Sequence, residues 1–86
     1  MKYVRKLSYI EQKRHFIYIT REFREMFPRL KEPFTLVVDE EKFPVNIDRQ
    51  GRIWASLFRS KVNFEWYSKF EISKINDNEY LLKQVE

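Results

Sequence analysis

The chain has 86 residues, of which 43% are hydrophobic and 35% charged, with no cysteine, one histidine and one glycine. This size and composition predict one small folded domain, residues 1–86, rather than a disordered chain. The scarcity of Cys, His and Gly excludes thiol chemistry, zinc and iron–sulfur sites, and glycine-rich phosphate loops. Because no apolar run is long enough for a membrane span or a signal peptide, we expect a soluble, intracellular, cytoplasmic protein with no membrane partner.

The net charge of +4 is unevenly distributed along the chain. Residues 1–31 and 49–61 are basic, whereas residues 32–48 and 62–86 are acidic. If folding brings the basic segments together, the protein has one positive face, which suits a polyanion such as nucleic acid. On charge alone, an evenly mixed and solvated surface is the alternative.

The first half of the chain predicts two strands and one short helix. Lys2–Leu7 is predicted as a strand, followed by a polar loop or exposed arm over Ser8–His15. The β-branched and aromatic run Phe16–Ile19 predicts a buried strand. Thr20 has the residue type of a helix N-cap. We expect Pro28 to end that two-turn helix, because proline pushes the preceding residue out of the helical region.

The second half predicts more strands joined by tight turns. Phe34–Val38 and Lys42–Ile47 are expected to pair through the acidic connection Asp39–Glu41. Asp48–Gly51 is the clearest turn signal, with the only glycine at the position that tolerates a positive φ. The rest predicts an alternating strand, an irregular stretch with a short helical turn, and a last hairpin: Arg52–Phe58, 59–69, and Phe70–Ile75 with Glu79–Val85.

This pattern of about seven short strands and one short helix predicts a mainly β fold, and favours a small barrel or closed, twisted sheet over an open one. The predicted core consists of the apolar side chains of these elements: Phe16, Ile17, Tyr18, Ile19, Phe23, Phe27, Leu36, Val38, Ile53, Leu57, Ile72, Ile75 and Leu81.

The order of elements resembles the DNA-binding pseudobarrel superfamily, which includes plant B-three transcription-factor domains and the DNA-recognition domains of some type II restriction endonucleases. The resemblance is carried by His15–Phe23 continuing to Phe27-Pro28, where the superfamily has a strand leading into a short helix. Val45–Trp54 resembles its central hairpin. The resemblance covers most of the chain and implies a small, open, seven-stranded pseudobarrel with one or two short helices.

The resemblance also implies two arms that grip the major groove of double-stranded DNA, Leu7–His15 and Asp48–Trp54. The arms coincide with the basic segments, whose Lys and Arg side chains suit phosphates, while Arg reads guanine and Gln reads adenine. We therefore expect sequence-specific binding, by a transcription regulator or by the target-recognition module of a DNA enzyme whose catalysis lies in a protein partner or a fused domain. The candidate DNA-binding residues are Lys6, Ser8, Tyr9, Gln12, Lys13, Arg14, His15, Arg49, Gln50, Arg52, Trp54, Arg59 and Lys61.

These candidates also have purely structural interpretations. Tyr9 would then cover the end of the core, Trp54 would plug the barrel, and His15 would be an ordinary strand-edge side chain. The charged residues would be solvated turn residues. Gln50-Gly51-Arg52 also resembles the Gly-Arg-Ile turn of AbrB-type swapped-hairpin regulators, a second DNA-binding alternative.

The sequence predicts no catalysis, no cofactor, no metal and no small-molecule substrate. Glu40-Glu41-Lys42 has the acid-x-Lys form of metal-dependent nucleases, but residues 1–38 contain no aspartate for the preceding strand. Nothing marks a serine and an aspartate that would form a catalytic triad with His15.

Two other functions stay open at this point. One is a protein-interaction module that uses the acidic segment 32–48 or an aromatic surface. The other is a small barrel that binds single-stranded nucleic acid or RNA by stacking bases on Tyr9, Trp54 or Trp66.

Overall fold

Residues 2–85, which the computed structural model describes, form strands joined by short helices and turns. The elements in chain order are β1 (Lys2–Lys6), α1 (Tyr9–Arg14), β2 (Phe16–Tyr18), a 3₁₀ helix (Arg21–Met26), β3 (Phe34–Val38), β4 (Glu41–Val45), β5 (Arg52–Trp54), a 3₁₀ helix (Arg59–Lys61), β6 (Lys69–Lys74) and β7 (Glu79–Val85).

The strands form two sheets. The larger sheet has five strands in the order β1-β6-β7-β3-β4, and the smaller consists of β2 and β5. All pairs are antiparallel except β3 with β7. Within residues 2–85 the two sheets do not close on each other, so the mainly β fold with seven strands in an open pseudobarrel is confirmed. The closed sheet favoured by the strand pattern alone is not formed.

Side chains from both sheets share one hydrophobic core. Ile17 of β2 and Ile53 of β5 are fully buried together with Leu36 of β3. Two buried tyrosines also form hydrogen bonds that connect different elements. The Tyr3 hydroxyl donates to the carbonyl of Tyr18 over 2.6 Å, and the Tyr80 hydroxyl donates to the carbonyl of Met26 over 2.6 Å. These bonds hold β2 and the first 3₁₀ helix against the larger sheet.

The prediction of a strand over Arg52–Phe58 is wrong for the residues after Trp54, where β5 ends. The backbone turns back at Ala55, whose carbonyl accepts hydrogen bonds from the N–H groups of Phe58 and Arg59. Because of this turn, the side chains face opposite to what the strand predicts: Leu57 is 58% exposed, whereas Phe58 is fully buried.

Four other core predictions need correction. Leu81 points outward because neighbouring strand residues face opposite sides, and Tyr80 and Leu82 occupy the buried side of β7. Ile75 follows the end of β6 and is exposed. Tyr18 and Phe23 are only partly buried, whereas the remaining predicted core residues are buried.

The helix after Thr20 is a 3₁₀ helix and ends at Met26. Phe27 is extended, as expected of a residue before proline. The Thr20 hydroxyl makes no capping hydrogen bond and lies buried without a partner among the described residues. The cap position is therefore correct, but the capping interaction is not formed.

Candidate nucleic-acid interface

The pairing of β2 with β5 brings the two predicted arms together. Phe16 lies opposite Trp54, and Tyr18 lies opposite Arg52. The first arm runs directly into β2, while the second arm contains β5. Beyond the ladder, the N–H of Ala55 donates to the carbonyl of His15 over 2.8 Å. Residues far apart in sequence thus share one surface.

The first arm is helical, which corrects the expectation of a polar loop. Ser8 is the N-cap of α1, and its hydroxyl accepts a hydrogen bond from the backbone N–H of Glu11. The Glu11 carboxylate accepts one in return from the N–H of Ser8 over 3.0 Å. This reciprocal capping box stabilises the first turn. The helix ends at His15, which has a left-handed backbone with φ 64°.

Glu11 fixes this helix to the rest of the fold. Its side chain is 2% exposed and pairs with Arg5 of β1 over 2.8 Å between Oε1 and Nη2. Its second oxygen accepts from the backbone N–H of Tyr18 over 2.8 Å. Burial by itself would raise the pKa of Glu11, but the hydrogen bonds from Arg5, Tyr18 and Ser8 outweigh it and lower that pKa. One carboxylate therefore joins α1, β1 and β2.

This network predicts a loss of stability in acid. A carboxyl group with a lowered pKa contributes stability above its ordinary value, here 4.5, and loses it as the pH falls through the folded-state value. We expect the free energy of unfolding, followed by urea titration, to fall as the pH drops below that value. The Glu11→Gln variant, already lacking the charge, should show a shallower decline. Parallel declines in the two proteins would contradict the prediction.

The Asp48 carboxylate organises the second arm. Its Oδ1 atom accepts from the N–H groups of Gln50 and Arg52, both over 2.9 Å. Its Oδ2 atom accepts from Arg52 Nε over 2.8 Å and from Trp54 Nε1 over 2.9 Å. Burial alone would raise the pKa of Asp48, but these bonds outweigh it and lower the pKa. The turn and the two side chains that follow it are therefore held by one charged group.

Trp54 is the aromatic centre of the shared surface. The Arg52 guanidinium lies 4.7 Å from the Trp54 ring centroid and 5.6 Å from that of Phe16. The Arg14 guanidinium, from the other arm, lies 5.9 Å from the Trp54 ring. Trp54 is 38% exposed, so it belongs to the surface and does not plug the barrel. Two guanidinium groups from separate arms thus both lie against one indole.

Gly51 ends the turn of the second arm with φ 86°, as the sequence predicted. A Cβ atom there would overlap the Arg24 guanidinium. That guanidinium is held by the carbonyl of Ile19 over 3.1 Å and by the Tyr18 hydroxyl over 3.3 Å. Gly51 therefore combines a left-handed backbone with a close side-chain contact.

We expect Gly51→Ala to lower the free energy of unfolding by about 1–3 kcal/mol, because alanine is strained at positive φ and displaces Arg24. Urea denaturation measures this effect. Comparing the double variant Gly51→Ala/Arg24→Ala with Arg24→Ala isolates the backbone strain, since neither protein has the overlap. A single Gly51→Ala variant as stable as the wild type would show that the turn tolerates a side chain.

The other predicted site residues lie at different distances from this centre. Arg59 extends the surface, with Nη1 3.1 Å from His15 Nε2. Arg49 and Gln50 occupy the exposed end of the 48–51 turn. Lys61 is directed elsewhere, since its ammonium group pairs with Glu41 over 2.7 Å. The remaining candidates lie on or before α1: Lys6, Ser8, Tyr9, Gln12 and Lys13. Of these, Tyr9 is 56% exposed and does not cover the core.

Two residues of this surface were missed from the sequence. The sequence pattern predicts Asp48 only as a turn residue, although Arg52 and Trp54, which follow it on one face of a predicted strand, are a signal that could identify it. Lys31 joins Asp48, Arg49, Gln50 and Arg52 in lining a cleft of about 520 Å³. It is placed there by the hydrogen bond from its N–H to the carbonyl of Ile47. No local sequence pattern marks that contact.

Within residues 2–85, no group of three or more His, Cys, Asp and Glu side chains is arranged to hold a metal ion. None of the helices in the described part of the chain has the length and apolar character needed to cross a membrane.

Neither a known family profile nor a curated protein sequence matches this chain. Its structure is similar to that of the N-terminal domain of Helicobacter pylori LlaJI.R1, with a TM-score of 0.69 and 14% sequence identity. The similarity covers 100% of this chain and 88% of the other. At this identity the comparison establishes a shared fold.

Proposed function

We propose that this domain binds double-stranded DNA sequence-specifically, with α1 and the 48–54 hairpin in one major groove and without catalysis of its own. The observation that carries the proposal is that Arg14 and Arg52, one from each arm, both place their guanidinium groups against the Trp54 ring. The major groove, about 12 Å wide, admits an α-helix, so a short helix with a cationic end can enter it.

The hydrogen bonding of the Arg52 guanidinium supports the recognition of DNA bases in particular. Its Nε atom donates to Asp48, and among the described residues its two terminal nitrogens have no protein acceptor. A guanidinium fixed in this way presents two donors in a set orientation. Guanine offers two acceptors, O6 and N7, in the matching fork geometry. We therefore assign Arg52 to guanine recognition, and assign Arg14, Lys31 and Arg49 to phosphate contacts.

The fold is consistent with this function, because the similar LlaJI.R1 domain comes from a restriction-system protein. In our proposal the chain serves as a target-reading unit of a DNA enzyme or as a small regulator of the B-three-like type. A catalytic partner or fused domain would carry any reaction on the DNA.

Fluorescence anisotropy on a labelled random-sequence duplex, titrated with salt, tests the proposal. We expect binding to weaken steeply, with a log–log slope equivalent to about four or more phosphates at roughly −0.9 each. Arg14→Ala should reduce that slope by about one phosphate. Lys83→Ala, which removes an exposed cation from β7, is the charge-matched control and should leave the slope unchanged. Absence of duplex binding at low salt would overturn the proposal and favour a protein-interaction module.

A further inference from the structure

A second exposed surface lies on the other flank of α1. Tyr9, Trp66 and Tyr67 are 56%, 62% and 64% exposed, although aromatic side chains are on average well buried. The rings of Tyr9 and Trp66 meet edge to face, with centroids 6.1 Å apart. We call these three residues the aromatic patch. Contiguous exposed apolar surface on a small domain marks an interaction site.

Cations lie beside Tyr9 and Tyr67 of the aromatic patch. The Lys13 ammonium group lies 5.8 Å from the centroid of the Tyr9 ring. Lys6 and Lys69 lie opposite each other in the β1–β6 ladder, and two like charges in register repel. Both lysines line a cleft of about 420 Å³ together with Tyr67, and the described residues that line it include no carboxylate. An anion bound beside Tyr67 would relieve the repulsion.

The geometry of α1 separates this patch from the duplex surface. Tyr9 and Lys13 are four residues apart, so they share one flank of the helix, while Ile10 and Arg14 share the next. The first flank faces Trp66 and the second faces Trp54. Glu11 occupies the buried side. The helix therefore presents two different cationic and aromatic surfaces.

We propose that the aromatic patch binds single-stranded nucleic acid, with unpaired bases stacked on Trp66 and Tyr67 and phosphates held by Lys6, Lys13 and Lys69. Every base has a π-face, so exposed aromatic side chains beside lysines suit a single strand without selecting its sequence. The charge of the surrounding lysines favours this polyanion over an apolar protein partner. The inference does not rest on duplex recognition, since it uses a different flank of α1.

Binding of a fluorescein-labelled dT oligonucleotide of about 12 nucleotides tests the proposal by anisotropy. We expect saturable binding at low salt that Trp66→Ala weakens about 5- to 100-fold. Ile75→Ala, which truncates an exposed apolar side chain after β6, is the matched control and should have no effect. In the Trp54→Phe variant Trp66 is the only tryptophan, and the oligonucleotide should quench its fluorescence.

Measuring the binding of each variant to each ligand distinguishes the two surfaces. Arg52→Ala should weaken binding to the duplex sequence that the protein prefers and leave the dT affinity unchanged. Trp66→Ala should weaken dT binding and leave the binding of that duplex unchanged. The proposal is overturned if the oligonucleotide does not bind, or if Trp66→Ala binds it as well as Ile75→Ala does. A third outcome would also overturn it: the protein does not bind the oligonucleotide but self-associates in sedimentation, and Trp66→Ala abolishes that self-association. The aromatic patch would then join copies of the chain.

Discussion

Replacing Arg52 with alanine is expected to weaken binding to the preferred duplex by about 1–3 kcal/mol, while binding to random duplex changes little. The reason is the fixed position of the guanidinium, which Asp48 orients and the Phe16 and Trp54 rings flank. A base contact of this kind raises the affinity for one sequence over others, whereas a phosphate contact raises the affinity for all duplexes equally. The preferred duplex is first obtained by selection from a random library, and anisotropy then compares the two ligands.

Asp48→Asn sharpens this test because it removes a negative charge from the interface. If charge alone governed binding, the variant would bind every duplex at least as tightly as the wild type. We expect random-duplex binding to be kept or strengthened, since an asparagine oxygen can still accept hydrogen bonds from the turn. Discrimination at the guanine should fall, because Arg52 loses its charged partner. Equal discrimination by wild type, Arg52→Ala and Asp48→Asn would remove the assignment of Arg52.

Replacing Glu11 with alanine is expected to lower the free energy of unfolding by about 2–4 kcal/mol. The change leaves Arg5 without its partner, removes the acceptor of two backbone N–H groups, and breaks the cap of α1. Arg5 keeps some contact with solvent, so the effect lies toward the lower part of the range for a fully buried pair. Urea denaturation measures the loss.

The control for Glu11 is Glu32→Ala, which removes an exposed loop carboxylate and should change stability little. A double-mutant cycle with Arg5→Met measures the coupling between the two side chains, and the double variant should lose less than the two single variants together. If Glu11→Ala were as stable as Glu32→Ala, the carboxylate would not fix the helix. Duplex binding by Glu11→Ala then tells whether the arm must be held in place for recognition.

The first arm shows how far local sequence reasoning could reach. Ser8 and Glu11 have the spacing of a capping box, and this signal predicts a helix start. The polar composition of the segment nevertheless predicts a loop, because a helix is ordinarily recognised by an apolar face. Here Tyr9 and Ile10 are exposed, and the side facing the core carries a glutamate whose partner, Arg5, lies on a different element.

The sequence by itself determined the local elements of this protein. Alternation indicated the strands, apart from the segment after Trp54, while Gly51 marked the turn and Pro28 limited the helix before it, because these constraints act between near neighbours. The tertiary structure decided which charges form a site. The pairing of β2 with β5 places Arg14 and Arg52 over Trp54, while an ion pair with Glu41 directs Lys61 away from them. A cation's role depends on the partner it meets in space, and that partner is set by packing between segments far apart in the chain.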